Sequence, residues 1–191
     1  MKRKRHLVDD SSYPVFITTT ITEWMPGFEI RTIAVESLAI LESVGAGLKA
    51  RIMGYVLMPH HFHAIILTHQ KGDLSVLMRK WKSLTARLIV DNLNRMDSQW
   101  LTVFQGNAQN FNGLEKYQVW QPRFDDFAIR TPEQFKVKLN YIHENPVRSG
   151  LVLAYEEYPY SSVHDYMGKA TALSKLNALW PYKPYPVFEG I

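Results

Sequence analysis

MPHHFHAIIL, residues Met58 to Leu67, sets two histidines either side of a phenylalanine, just after a proline-marked turn. Its flanks, Arg51 to Met58 and Phe62 to Thr68, are apolar and rich in β-branched residues, which predicts two strands joined near Pro59. Alternate residues of a strand share a face, so His61 and His63 should project together, about 7 Å apart along the backbone, with Phe62 on the other side. His60 should point with Phe62 or lie in the turn, which makes it the poorer ligand. A bare His-x-His suits either a hydrogen-bonded pair on a half-exposed strand, the commoner case, or two ligands of one metal ion. A second element has to decide between them.

Composition narrows the field. A chain of 191 residues fits one domain with decorations, and 46% hydrophobic against 21% charged residues describes a folded globular protein. There is no cysteine, which excludes disulfides and thiolate metal sites, leaves nitrogen and oxygen ligands, and is compatible with a cytoplasmic location. The basic start MKRKRH runs into Asp9, Asp10, Ser11 and Ser12 without a signal-peptide apolar stretch, and no run approaches the length of a membrane span. A net charge of +4 favours an anionic partner modestly.

Along the chain, residues 1 to 12 read as a flexible basic arm, 13 to 170 as a single domain, and 171 to 191 as a tail that wraps the core. Tyr13 to Ile21 alternates apolar residues with threonines and should form the first strand, ending in the Met25-Pro26-Gly27 loop. Ile33 to Val44 has amphipathic helical spacing that Gly45 and Gly47 should end. Leu74 to Leu93 repeats with helical period through Leu74, Leu77, Met78, Trp81, Thr85 and Leu88. That helix carries Arg79, Lys80, Lys82 and Arg87, which read either as a solvated face or as DNA phosphate contacts. Residues 94 to 117, rich in Asn, Gln and Gly, read as a long loop or insertion.

Val119 to Ile129 has strand character, with Pro122 marking an edge or bulge. Thr131-Pro132-Glu133-Gln134 is a helix start with a threonine cap, proline in the first turn and a glutamine placed for a capping box. The helix should run from Pro132 to about Glu144, with Phe135, Leu139 and Ile142 toward the core and Pro146 ending it. Tyr141 and Asn145, four residues apart, lie only about 40° apart around the axis, so a phenol and an amide emerge side by side. Asn145 also reads equally well as a helix-ending residue before proline. His143 is turned about 160° from Tyr141 and should be a surface or second-layer residue.

MPHHFHAII, WQPRF and YIHENPVRSGLV in that order, followed by YPYSS, resemble the single-tyrosine HUH transposases. Within them the pattern is most similar to the REP-associated tyrosine transposases, with their Tyr-Ile-x-x-Asn-Pro signature. The similarity extends from about Tyr13 to Ser162. It implies an α+β, ferredoxin-like (RRM-like) antiparallel sheet with helices on one face and the histidines on a central strand. It also implies cleavage and rejoining of single-stranded DNA beside hairpins, through a covalent 5′-phosphotyrosine. Tyr141 becomes the catalytic nucleophile, and His61, His63 and Asn145 the ligands of Mg²⁺ or Mn²⁺. Arg123, Arg130 and Arg148 join the helix cations as DNA-backbone contacts, with surface ion pairs as their ordinary alternative. The partner is hairpin-bearing single-stranded DNA, the assembly a monomer or homodimer, and no membrane is involved.

Chemistry agrees with that division of labour, because a phenol with an ordinary pKa near 10 attacks poorly when neutral and gains from a cation on the phosphate. Three departures stand out: His60 where relatives commonly carry Asn or Glu, Phe127 after Asp125-Asp126 where many carry a histidine, and the 94 to 117 segment without a family counterpart. Two rival readings are a domesticated, non-catalytic single-strand nucleic-acid-binding module and a metallohydrolase of small phosphoesters. The lack of a carboxylate-rich motif counts against the second.

Overall fold

The computed structural model describes residues 12–111 and 116–167. The proposed arm, to residue 11, and the tail, 171 to 191, lie outside the described residues. Four strands, β1 (Val15–Thr20), β2 (Arg51–Leu57), β3 (His61–Leu67) and β4 (Asp125–Ala128), form one antiparallel sheet in the order β2-β3-β1-β4. The helices are α1 (Arg31–Gly47), α2 (Asp73–Arg95), α3 (Trp100–Phe111), α4 (Pro132–Arg148) and the short α5 (Val163–Tyr166). The α+β sheet with the histidines on a central strand is as expected. Among the described residues no helix is long and apolar enough to cross a membrane.

Helices on one face alone is the first correction. β2 and β3 are buried along nearly their whole length, so both of their faces need cover. On one face Ile17, Tyr55, Leu57, Phe62, Ala64 and Ile66 pack with Leu38, Leu41, Leu77 and Trp81 of α1 and α2. On the other, Phe16, Val56, Met58 and Ile65 pack with Ile142 and with Phe135, Leu139 and Tyr141 of α4. The stripe expected on α4 is therefore real, but it covers the face opposite α1 and α2.

Two further expectations change. Residues 100 to 111 are helix rather than loop, with Phe104 and Ala108 buried one turn apart and Trp100 and Leu101 against the main core. The Asn and Gln side chains that masked this period include Asn107, whose amide donates back to the Val103 carbonyl. Strand structure from 119 to 129 shrinks to four residues plus a single bridge between Ile21 and Trp120.

The threonine cap of α4 forms as expected, Thr131 Oγ1 accepting from Gln134 N at 3.3 Å, whereas Gln134 Oε1 passes the cap amide and accepts from Arg130 N at 2.8 Å. The helix does not end before Pro146, however, but continues to Arg148. Proline removes one amide donor, yet Asn145 and Pro146 are both buried, and their carbonyls accept from Ser149 N and Leu151 N. Packing overrides the local preference at the residue before proline.

Residues 158–162, the YPYSS stretch, close the outer edge of β2. Leu57 N donates to the Tyr160 carbonyl, Ser162 N to the Tyr55 carbonyl, and Tyr158 OH to the Leu57 carbonyl. Ser162 Oγ accepts from Tyr55 N and lies 3.0 Å from Nε2 of His143, which is buried rather than on the surface. Burial holds the His143 imidazole well below its usual range, at about 4, so it is neutral here at pH 7.

α4 approaches β2 closely because residue 54 is glycine. A Cβ there would stand 2.7 Å from Leu139 Cδ1 and 3.9 Å from Ile142 Cδ1. Gly54→Val should crowd Leu139 and Ile142 of α4, costing about 1–3 kcal/mol in urea denaturation. An unchanged midpoint would mean that this contact does not set the position of α4.

Candidate active site

The register of β3 against β1 places His61 opposite Thr20 and His63 opposite Thr18. The two imidazoles share a face with ring centroids 4.7 Å apart, while Phe62 turns into the core against Trp81 at 4.5 Å. Thr18 Oγ1 lies 2.8 Å from His63 Nδ1, which engages that nitrogen within the sheet and leaves Nε2 for the site. The His63 ring also stacks on Phe16 at 5.5 Å.

α4 completes the constellation from above. The Tyr141 ring meets His63 edge-on at 5.2 Å and Phe16 at 5.9 Å, and the Asn145 side chain hydrogen-bonds His61. Tyr141 is half-buried and Asn145 buried. The structure thus brings together the four residues that the sequence singled out. Burial, followed by the neighbouring His60, pulls His61 down to about 4; burial, followed by His61 and Lys138, pulls His63 to about 3. Both imidazoles therefore keep a free lone pair at neutral pH.

His60 lies in the turn between β2 and β3 and not with Phe62. Its Nδ1 is 3.0 Å from His61 Nδ1, and the indole of Trp24 meets its ring edge-on at 4.9 Å. Among the described residues no three His, Cys, Asp or Glu side chains converge as a metal-ligand set, so His60 does not complete a triad with the pair.

The seven expected DNA contacts divide. Arg148 is exposed, with its guanidinium 5.5 Å from the Tyr141 ring centre. Arg79, Lys82 and Arg87 line a surface groove with Lys116, Tyr117 and Gln118, and Arg123 lines an adjoining one beside Thr18 and Thr20. Lys80 is exposed on α2 and borders neither groove, and Arg130 sits over Tyr13, 5.9 Å from its ring. Lys82 is largely committed inside the protein: its ammonium donates to the Gln121 and Arg123 carbonyls at 2.8 and 2.5 Å, and burial lowers its pKa to about 8.

Sequence reading missed Lys138. Its Nζ lies 4.5 Å from the Phe16 ring centre and 5.0 Å from that of Phe127, and its charge acts on His63. The signal was present, since residue 138 is one helical turn before Tyr141 and shares its face.

The model of the family described as "Transposase IS200 like" matches residues 28–145, a span holding His61, His63, Tyr141 and Asn145. The chain belongs to the IS200-like transposase family. It is 27% identical over 113 residues to the REP-associated tyrosine transposase of Escherichia coli K12, a match covering 59% of this chain and 54% of that protein. It is 40% identical over 112 residues to a Haemophilus influenzae protein that carries the same name provisionally, covering 56% of each. The chain spans about half the length of these curated relatives. The fold is shared with a REP-associated tyrosine transposase solved bound to a REP hairpin, at TM-score 0.62 and 20% identity, over 88% of this chain and 86% of that one. The family resemblance read from the sequence is thus met by the family model and by these relatives.

Because Lys82 anchors residues 121–123 beneath the groove, Lys82→Ala should cost about 1–3 kcal/mol of stability and speed proteolytic nicking near Arg123. Unaltered nicking would show that other contacts hold this segment.

Proposed function

We propose that the chain nicks and rejoins single-stranded DNA at hairpin-bearing sites through a covalent bond to Tyr141. The observation that carries this reading is the meeting of two elements remote in sequence: Tyr141 and Asn145 of α4 lie against His63 and His61 of β3.

His61, His63 and Asn145 would hold Mg²⁺ or Mn²⁺. Two neutral imidazoles and an amide suit such an ion, and the committed Nδ1 of His63 gives its ring a fixed orientation. A divalent ion, when bound, polarises the phosphate and offsets the charge developing on it. The remaining work falls to the chain. Phe16 and His63, stacked on each other in the sheet, both meet the Tyr141 ring edge-on and narrow the rotamers from which the phenol presents its oxygen. That oxygen attacks phosphorus, the P–O3′ bond breaks, and the phenolic proton is lost while O3′ gains one. The products are a 5′-phosphotyrosine and a free 3′-hydroxyl, and attack by another 3′-hydroxyl reverses the step and rejoins the strand. Arg148, beside the Tyr141 ring, and Lys138, over Phe16 one turn earlier on the helix, would neutralise the non-bridging oxygens. Arg79 and Arg87, with Lys116, would follow the DNA backbone along the groove. The hairpin in the solved relative supports hairpin DNA as the partner.

A hairpin oligonucleotide incubated with Mn²⁺ should give a denaturation-resistant protein–DNA adduct that mass spectrometry locates on Tyr141, and Tyr141→Phe should abolish it. Cleavage surviving in Tyr141→Phe would overturn the mechanism. Tight binding without an adduct, indifferent to chelator and to His61→Ala, would leave a binding module instead.

Thr18→Val keeps the shape of the sheet but frees His63 Nδ1, and should weaken Mn²⁺ binding about 10- to 100-fold in calorimetric titration. Unchanged affinity would mean that Thr18 does not orient this ring.

A further inference from the structure

The turn joining β1 to α1 carries an exposed indole beside the histidines. Trp24 is 59% exposed, whereas Trp81 and Trp120 are buried in the core. Its ring meets His60 edge-on at 4.9 Å and His61 at 6.1 Å. Neither contact stacks on the indole, so at this exposure a flat face stays open to solvent.

The backbone holds the indole there. Glu23 and Trp24 both adopt left-handed conformations, with φ of 53° and 56°, each unfavourable for a residue with a side chain. The turn is fastened to the histidine turn by Ile21 N donating to the His60 carbonyl and Phe28 N to the Pro59 carbonyl, at 2.8 and 2.9 Å. Gly27 packs the loop onto Ile21 and Ile89, where a Cβ would stand 2.9 and 3.3 Å from their Cδ1 atoms. A large apolar ring is thus displayed rigidly, at a cost in strain and solvation, within one ring's width of His61.

We propose that Trp24 is a stacking platform for one nucleobase of the single strand next to the bond that Tyr141 attacks. This rests on the DNA-nicking reading above. The local charge favours a base over a phosphate: Glu23 adjoins Trp24, and Glu29 acts on His60, so an anionic group is repelled where a neutral aromatic base is not. The cations that suit phosphate stand on α4 instead, Arg148 against the Tyr141 ring and Lys138 over Phe16, where its charge acts on His63. Phosphate and base thereby have separate seats, one at the α4 cations and one at the indole. Stacking of this kind tolerates any base, so the platform fixes strand position rather than sequence.

The test measures binding of a hairpin oligonucleotide with a single-stranded flank to the full chain carrying Tyr141→Phe, which prevents turnover. Adding Trp24→Ala should weaken binding about 5- to 150-fold, with the salt dependence unchanged because no phosphate contact is lost. Trp24→Phe should recover most of the loss. An abasic scan through the flank should find one position where the base no longer matters in Trp24→Ala but matters in the tryptophan protein. Thermal unfolding of each variant, expected to match the parent, separates a lost contact from a lost fold.

Equal affinity of Trp24→Ala, or a loss that persists at every abasic position, would overturn the platform. Failure of the nicking reading is seen separately, as absence of the Tyr141 adduct with tryptophan in place. A Trp24 effect without any adduct would remove the link to a scissile bond and so overturn this proposal as stated.

Discussion

β3 is buried on both faces, and its alternation divides one strand between two tasks. Phe62, Ala64 and Ile66 fill the core against α1 and α2, while His61, His63 and Ile65 face α4. A slip of one residue in pairing would exchange the faces, sending both imidazoles into the apolar core and Phe62 out of it. Burying a phenylalanine is worth about 1.5–3 kcal/mol, and two unpaired imidazoles in that core would add a desolvation cost. The far-side core therefore fixes where the histidines stand, and with them the Thr18 hydroxyl opposite His63.

The helix above matches that spacing. Four residues of α-helix rise about 6 Å and two residues of strand about 7 Å, so a helix crossing the sheet nearly along β3 can meet it twice. Tyr141 meets His63 and Asn145 meets His61, so α4 runs counter to the strand over the site. This works only because α4 continues through Asn145 and Pro146; a helix broken at Glu144 would release Asn145 from the i, i+4 relation. It works also because Gly54 admits the helix close to β2, and because Ser162 joins the Tyr55 amide to His143 on the buried side of α4.

The strands, the histidine face, the α4 cap and the Tyr141–Asn145 pairing were legible because each follows from local period or local hydrogen bonding. What stayed hidden depends on neighbours remote in sequence. Pro146 signalled a helix end, and only the burial of Ile142, His143, Asn145 and Pro146 shows why the helix persists. The helix at 100–111 has Leu101, Phe104 and Ala108 at helical spacing, but its amides and glycine diluted the pattern. The sequence shows an apolar stripe on α4 without showing which face of the sheet receives it. Lys138 and Trp24 gain their meaning only from the fold, one through Phe16 and His63, the other through a left-handed turn fastened to the histidines.

Electrostatics then narrows the chemistry this arrangement favours. The charged group that acts on His63 is Lys138, and the cation against the Tyr141 ring is Arg148, so the charges shown at the site are positive. A site that makes hydroxide for small phosphoesters usually gathers carboxylates to hold its ions, and among the described residues no such cluster stands here. Carboxylates would also repel the phosphodiester of a long polyanion, whereas neutral imidazoles and an amide do not, and the cations Lys138 and Arg148 attract it. Under the proposed reaction, one helix would carry both the attacking oxygen of Tyr141 and the Lys138 and Arg148 charges that steady its attack. Tyr141, Lys138 and Arg148 therefore move as one unit, and they keep their place over His61 and His63 only while α4 stays packed on β2 and β3.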